Sequence, residues 1–216
     1  MSSFIHSSLN QLIDLILPRV CLGCGARGFD LCDYCLNNLP PAEEVTAGGG
    51  ALYAYQTPAI KAAIWQFKYR GAQRIGIRFG QELYRRFGQR FSRPENKLWL
   101  VLPIPLSAAR RRERGFNQAA VIAKTFADLA PAKFHFVDDL LIKIKDTPTQ
   151  VSVKNRAARL ANLKNVFAVR EPEKIAGQKI ILIDDVFTTG GTLAEAERVL
   201  RWAGANAVSA LTIARG

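Results

Sequence analysis

Alternating apolar strands and amphipathic helices predict an α/β domain on a central parallel sheet flanked by helices, with a small metal-binding module before it. Three observations carry this expectation. Short runs of apolar residues at 99–104, 179–183 and 207–214 are separated by segments of helical periodicity, and strands that alternate with helices build βαβ units whose sheet is covered on both faces. All four cysteines fall in two close pairs near the start of the chain. Between them and the first strand lie Pro40, Pro41 and the run Gly48, Gly49, Gly50, punctuation that suits a linker.

Taken in order, residues 4–17 place Phe4, Ile5, Leu9, Leu12, Ile13, Ile16 and Leu17 at helical spacing, giving an amphipathic helix that Pro18 ends. The linker divides the chain into a module at 1–47 and a main domain at 51–216. Within the main domain the pattern predicts a short strand at 51–55, helices at 58–69 and 72–91, and a buried strand at 99–104 bounded by Pro103 and Pro105. A basic loop at 106–116 leads to a helix at 117–129 and a strand at 140–145. A polar, basic stretch at 146–165 reads as a loop with a short helix. The apolar strand 179–183, a helix at 191–203 and a strand at 207–214 complete the order.

The chain carries 30 Lys plus Arg against 18 Asp plus Glu, a net charge of +12 over 216 residues. Such an excess favours polyanionic partners, phosphates or nucleic acid. It is uneven: residues 1–50 hold 2 basic and 5 acidic side chains, whereas 61–116 hold 14 and 3 and 143–170 hold 7 and 1. No apolar run approaches the ~20 residues that span a bilayer. The early cluster Ile13, Leu15, Ile16, Leu17 is broken by Asp14 and lacks both a preceding basic residue and a small-residue cleavage site, so a soluble, cytoplasmic protein is expected.

Cys21-Leu-Gly-Cys24 and Cys32-Asp-Tyr-Cys35 form two CxxC pairs seven residues apart. Each pair can put two thiolates on one ion through a tight turn, and together they complete the tetrahedral set of four cysteines that structural Zn2+ prefers. A disulfide pair or an iron–sulfur cluster could use the same residues. With four protein ligands a zinc site orders its surroundings and does no chemistry. Gly23, Gly25 and Gly28 also spell GxGxxG. That dinucleotide fingerprint needs a strand before it and a helix after it; here neither is present and Cys24 occupies an interior position, so turn-forming glycines of the cysteine knot explain it.

The most informative segment is Ile180-Ile-Leu-Ile-Asp-Asp-Val-Phe-Thr-Thr-Gly-Gly-Thr-Leu193. Four branched residues suit a central parallel strand, and Asp184 and Asp185 fall at its carboxyl end, the edge where α/β sheets bind ligands. Gly190 and Gly191 let the backbone turn and present N–H groups, the helix starting there offers its positive end, and Thr188, Thr189 and Thr192 add hydroxyl donors. Carboxylates beside such a cradle repel phosphate, so they suit ribose hydroxyls and a hydrated Mg2+ instead. A P-loop is excluded, because no Gly-Lys-Ser or Gly-Lys-Thr occurs.

With these residues in view, the run resembles the phosphoribosyl diphosphate (PRPP) signature of type I phosphoribosyltransferases. Nearly the whole chain resembles the competence protein ComF family, which includes the proteins called GntX. The resemblance rests on the four-cysteine knot, Phe67-Lys68-Tyr69-Arg70-Gly71, Pro103-Ile104-Pro105, Arg114-Gly115-Phe116-Asn117-Gln118, Thr147-Pro148-Thr149-Gln150, Arg159 with Asn162, and the phosphate loop. It implies a type I phosphoribosyltransferase fold with Asp184 and Asp185 on the ribose hydroxyls. Val186 would belong to the same PRPP-binding run, Thr188, Thr189, Gly190, Gly191 and Thr192 would hold the 5-phosphate, the turn after Pro103 would lie near the diphosphate, and 147–162 would match a closing loop. Arg112, Arg114 and Arg159 are candidates to stabilise the departing diphosphate together with Mg2+.

Two functions follow from the resemblance: phosphoribosyl transfer to an unidentified acceptor in DNA uptake or utilisation, or a PRPP-sensing module whose basic surface binds single-stranded DNA beside a helicase-like partner. Because the last strand ends the chain, a hood conferring specificity is expected from residues before about 95. There Tyr53, Tyr55, Trp65, Phe67 and Tyr69 mingle with Lys61, Lys68 and Arg70, a mixture compatible with base stacking. Helical core packing accounts for Trp65 and Phe67 equally well.

Overall fold

The structure, a computed structural model, describes residues 18–42, 49–91, 98–145 and 165–216. The expected helix at 4–17 and the segment 147–162, with Arg159, lie outside the described residues. Seven strands are described: β1 Gly50–Ala54, β2 Trp99–Pro103, β3 Phe134–Phe136, β4 Leu141–Lys143, β5 Phe167–Val169, β6 Lys179–Phe187 and β7 Ala207–Arg215. The helices are α1 Asp33–Asn38, α2 Pro58–Tyr69, α3 Gln73–Phe87, α4 Ala108–Arg114, α5 Gln118–Asp128, α6 Pro172–Ile175 and α7 Gly191–Trp202.

Five strands form one wholly parallel sheet in the order β1-β7-β6-β2-β3, and β4 with β5 makes a separate antiparallel ribbon. The alternation of side chains along β6 divides the interior into two cores. Ile181 and Ile183 join Val101, Phe67, Phe79 and Phe126 on the face covered by α2, α3 and α5. Ile180 and Leu182 point the other way, towards Leu102, Leu193, Leu200 and the ribbon residues Leu141 and Phe167. Burial on both sides explains why β6 reads as an unbroken apolar run and not as an alternating one.

The α3–α5 contact is close because α3 carries glycine where the helices meet. A Cβ added at Gly80 would lie 2.8 Å from the Ile122 carbonyl oxygen and 2.7 Å from the Thr125 Cβ, and one at Gly76 would lie 2.3 Å from the Phe67 ring. The cysteine module rests on the outer side of the same helix. Leu31 and Leu36 enter the first core, while Arg74 reaches Asp30 at 2.6 Å and Arg85 reaches Asn37 at 3.0 Å. Arg78 pairs with Asp33. Placed one helical turn or two apart, these arginines form a stripe along α3 that faces the module.

One sequence expectation needs correction. Residues 106–116 are not a loop throughout, because Ala108–Arg114 forms helix α4. Ser107 caps it by accepting a hydrogen bond from the Arg110 N–H at 3.4 Å, and Gly115 ends it in the left-handed region at φ 78°. Alanine and arginine are strong helix formers, and between those two caps their propensity is sufficient for two turns. β3, β5, α1 and α6 are short elements that the periodicity did not announce.

Candidate functional site

β6 pairs with β7 along nearly its whole length, from Lys179↔Ala207 to Phe187↔Arg215. Its pairing with β2 stops at Pro103↔Ile183, one residue before the carboxylates. Ile104 still donates its N–H to the Ile183 carbonyl at 2.8 Å; thereafter β2 turns away. Asp184 and Asp185 therefore leave the sheet with one neighbour removed, at the carboxyl end of a central strand where ligands of this fold class bind.

The loop after them behaves as its composition predicts. Gly190 takes φ 77° and caps α7, whose first residue Gly191 is buried. A side chain at 190 would also collide with the Phe187 ring at 2.8 Å, so both conformation and space require glycine. The α7 N-terminus, with its positive dipole end, faces this turn. Thr189 is part of it, and its hydroxyl is buried without a hydrogen-bond partner among the described residues. Such a group normally has a partner, and an anion in the turn would supply one.

A second orphan lies in register with the carboxylates: Thr212 on β7, opposite Asp184, has a buried hydroxyl with no partner among the described residues. Two more fall in the Arg114–Gln118 joint, at Arg114 Nε and Gln118 Nε2. That joint is tied to the turn after Pro103. Asn117 caps α5 through the Ala119 N–H at 3.1 Å and donates its side-chain amide to the Ile104 carbonyl at 3.1 Å. Arg114 in turn donates to Gln118 Oε1 at 3.0 Å and stacks over the Tyr69 ring, 5.5 Å from its centroid. Arg112, on the same helix, is exposed. The structure thus brings Arg114, Pro103 and the carboxylate strand together through hydrogen-bonded neighbours.

Electrostatics single out the two carboxylates. Asp184 is held up to about 7, first by loss of hydration and then by repulsion from Asp185. The Asp185 N–H donates to Asp184 Oδ1 at 2.8 Å, and Lys68 and Lys143 pull the other way. Lys68 Nζ lies 2.9 Å from Asp185 Oδ2, with the two side chains only 19% and 14% exposed. A largely covered ion pair contributes little net stability, because desolvation offsets the attraction. Its position at the ligand edge points to function.

Two residues here were not singled out as site partners in the sequence. Lys143 approaches from the β4–β5 ribbon, whose separate pairing has no strong periodic signal. Glu195 on α7 accepts a hydrogen bond from the Asn165 N–H at 2.6 Å and another from Arg198 at 2.8 Å, holding Asn165 at φ 57°. This ties the start of β5 to the helix of the phosphate-type loop. Lys68 was noted in a motif, but its partner Asp185 is remote in sequence.

The four cysteines form a second centre. Their Sγ atoms all lie within 4.8 Å of one another, and Cys32 Sγ is 3.6 Å from both Cys21 Sγ and Cys24 Sγ. Tetrahedral zinc with Zn–S near 2.3 Å sets sulfurs about 3.8 Å apart, so the residues present could hold a metal such as zinc. Burial opposes ionisation of Cys21, but N–H groups of Cys32, Cys24 and Gly23 outweigh it and bring the thiol to about 6. Burial and the neighbouring thiols push Cys35 up. The glycines of the GxGxxG string belong to these turns: Gly25 and Gly28 have φ 76° and 89°, and a Cβ at Gly23 would lie 2.6 Å from Cys35 Sγ.

Residues 74–216, which include the whole carboxylate edge, match the model of the phosphoribosyl transferase domain family. The chain belongs to that family. Within it, the chain is a member of the ComF group. It is 33% identical over 166 residues to the competence protein ComFC of Bacillus subtilis, covering 76% of this chain and 63% of that protein. It is 26% identical over 204 residues to competence protein F of Haemophilus influenzae, covering 89% and 84%. With the DNA utilization protein YhgH of Salmonella typhimurium it shares 26% over 187 residues, covering 85% and 77%. Among solved structures, adenine phosphoribosyltransferase of Saccharomyces cerevisiae has 20% identity and a TM-score of 0.39, covering 69% of this chain and 72% of that one. The five-stranded parallel sheet is the type I phosphoribosyltransferase fold. Among the described residues no helix is long and apolar enough to cross a membrane.

The raised Asp184 predicts a stability signature. Between pH 4 and 7 the folded state binds more protons than the unfolded chain, so this group makes stability fall as pH rises through that window. Asp184→Asn keeps an oxygen that can accept the Asp185 N–H but removes the charge. Relative to the parent, the variant is expected to gain on the order of 1–3 kcal/mol as pH rises from 4 to 7, with no further gain above. Thermal melts of both proteins across pH check this; a difference that does not grow with pH contradicts the assignment.

Proposed function

We propose that this protein binds PRPP at the carboxyl end of β6 and acts as a phosphoribosyltransferase-like protein in DNA uptake or utilisation. The observation that carries the reading is the juxtaposition of a one-sided carboxylate edge with a Gly/Thr turn that opens α7 and holds a buried, partnerless hydroxyl. Asp184 and Asp185 would accept hydrogen bonds from the ribose 2- and 3-hydroxyls. Val186, Thr188, Thr189, Gly190, Gly191 and Thr192 would enclose the 5-phosphate against the helix N-terminus. Arg114, anchored on Gln118, would face the diphosphate near the Pro103 turn. Mg2+, when bound with PRPP, would neutralise charge on the departing diphosphate. The competence and DNA-utilisation names of the relatives supply the biological setting.

The ion pair adds a step to binding. Lys68 occupies Asp185, so ribose hydroxyls must displace or share that contact. Lys68 stays beside the entering ligand, where its charge offsets that of the phosphates. Calorimetry with PRPP and Mg2+ is expected to show binding that Asp184→Ala with Asp185→Ala abolishes; unchanged affinity in the double variant overturns the site.

A second reading, PRPP sensing without turnover, is favoured by the exposed arginines 111 and 112 on α4, a surface suited to the phosphates of single-stranded DNA. Incubation with PRPP labelled in the diphosphate, together with bases, amines and DNA, separates the two. Diphosphate release dependent on one acceptor supports transfer, and its absence with every acceptor supports sensing.

For the cysteine centre we propose structural zinc in a module spanning 1–47, distinct from the domain at 51–216. The donor set and the sulfur spacing support it. Metal analysis is expected to find about one zinc per chain, lost in Cys24→Ser with a lowered melting temperature. A metal-free parent or an iron chromophore contradicts it.

A further inference from the structure

Thr212 is a buried polar residue to which the PRPP reading assigns no part. It lies on β7, 1% exposed, and its hydroxyl has no hydrogen-bond partner among the described residues. Threonine is at home in a strand, but valine has the same shape and strand preference without a hydroxyl to strip of water. Buried hydroxyls normally have a partner, so this one calls for a reason outside strand formation.

Its neighbours narrow that reason. β7 pairs with β1 on one side and β6 on the other, which sets Ala51 and Asp184 opposite Thr212. Side chains two positions apart on a strand share a face, and along β7 these are Ala210 and Ala214. Three of the four neighbours are therefore alanines, and Asp184 alone offers a side-chain acceptor. Paired strands lie about 4.8 Å apart, a spacing across which a short hydroxyl and a carboxylate can meet. The same alternation sends the two carboxylates to opposite faces of the sheet. Asp184 follows Ile180 and Leu182 towards α7 and the ribbon that bears Lys143. Asp185 follows Ile181 and Ile183 towards α2, where Lys68 lies 2.9 Å from it. Thr212 thus belongs to the Asp184 side.

Without ligand the Asp184 carboxylate is turned to its own backbone, with Oδ1 accepting the Asp185 N–H at 2.8 Å. Threonine is stiff about χ1, whereas the terminal torsion of aspartate is broad, so the carboxylate is the partner that moves. We infer that Thr212 is a positioning residue: its hydroxyl donates to Asp184 when a ligand hydroxyl draws that carboxylate round, and holds it in the ligand-bearing orientation. The inference rests on the PRPP reading above. An ionised carboxylate accepts several hydrogen bonds at once, and those it accepts are stronger than bonds between neutral groups. The hydroxyl itself is fully covered, so it acts through Asp184 and not on the ligand.

Thr212→Val and Thr212→Ser, each in the full chain, separate the hydroxyl from the methyl group. Without ligand, Thr212→Val is expected to raise the melting temperature by about 2 °C or more, because a methyl replaces a partnerless hydroxyl. Thr212→Ser keeps the hydroxyl but opens a methyl-sized gap, and is expected to lower it. PRPP affinity, measured by calorimetry with Mg2+, is expected to move the other way: at least about fivefold weaker in Thr212→Val, and within about twofold of the parent in Thr212→Ser. A residue needed only for packing would lose affinity in step with stability, so the crossed pattern reads positioning. Unchanged PRPP affinity in Thr212→Val overturns the proposal, as does a loss in Thr212→Ser as large as that in Thr212→Val. A lowered melting temperature in Thr212→Val also overturns it, since the hydroxyl would then already have a partner. If the parent fails to bind PRPP, the underlying reading falls and this role with it; a parent that binds beside an unaffected Thr212→Val sinks the role alone.

Discussion

Everything at the candidate site depends on where the β2–β6 ladder ends. The two strands share hydrogen bonds up to Pro103↔Ile183, and β7 follows β6 four residues further, to Phe187. Proline has no N–H to extend a ladder, and the Ile104 N–H makes the last bond, to Ile183. Had β2 continued, its backbone would occupy the space beside Asp184 and Asp185. Because it turns away, a pair of carboxylates emerges from a fully buried strand into a notch walled by β7 on one side only. The Asn117 amide fixes the departing chain by bonding to the Ile104 carbonyl, so the notch is built into the fold before any ligand arrives.

That notch concentrates charge at a cost. Two adjacent carboxylates in a poorly hydrated edge cannot both ionise freely, and Asp184 carries the strain as a carboxyl raised to about 7. Lys68 relieves Asp185 but must lose hydration to do so. Buried hydroxyls at Thr189 and Thr212 lack partners among the described residues. Thr212 lies in register with Asp184 and Thr189 lies in the turn after β6, so the unsatisfied groups fall at the carboxyl end of that strand. Stability has been sacrificed there, as is usual at sites that recognise a polar ligand.

Much of this was legible in the sequence because it is local. The apolar run of β6, the carboxylates at its end, the glycine that α7 needs at its cap and the four closely spaced cysteines are each set by neighbours within a few residues. The boundaries of α2 and α7 followed from periodicity and flanking turns for the same reason. What escaped was set by distant contacts or by the balance of weak propensities. Lys68 and Asp185 meet only because α2 packs over β6. Lys143 lies on an expected strand, but its pairing with β5 is remote in sequence, and Glu195 reaches Asn165 from α7 across thirty positions. The stretch before Arg114 looked like a loop because its charge hides no apolar face, yet caps at Ser107 and Gly115 were enough to make α4. Trp65 and Phe67, two residues apart on one helix, could not be told apart until the phase of α2 against the sheet was known.

The cysteine module belongs to this same logic through α3. Arg74, Arg78 and Arg85 face Asp30, Asp33 and Asn37, so the acidic module is matched to a basic stripe on the far side of the helix that carries Gly76 and Gly80. Those glycines let α3 lie close to Phe67 and α5, and Phe67 is one residue from Lys68. The segment that carries the four cysteines can therefore matter to the site without touching it. By fixing the outer face of α3 it holds the packing against which α2 is set, and α2 in turn presents Lys68 to Asp185 and Trp65 and Tyr69 to solvent.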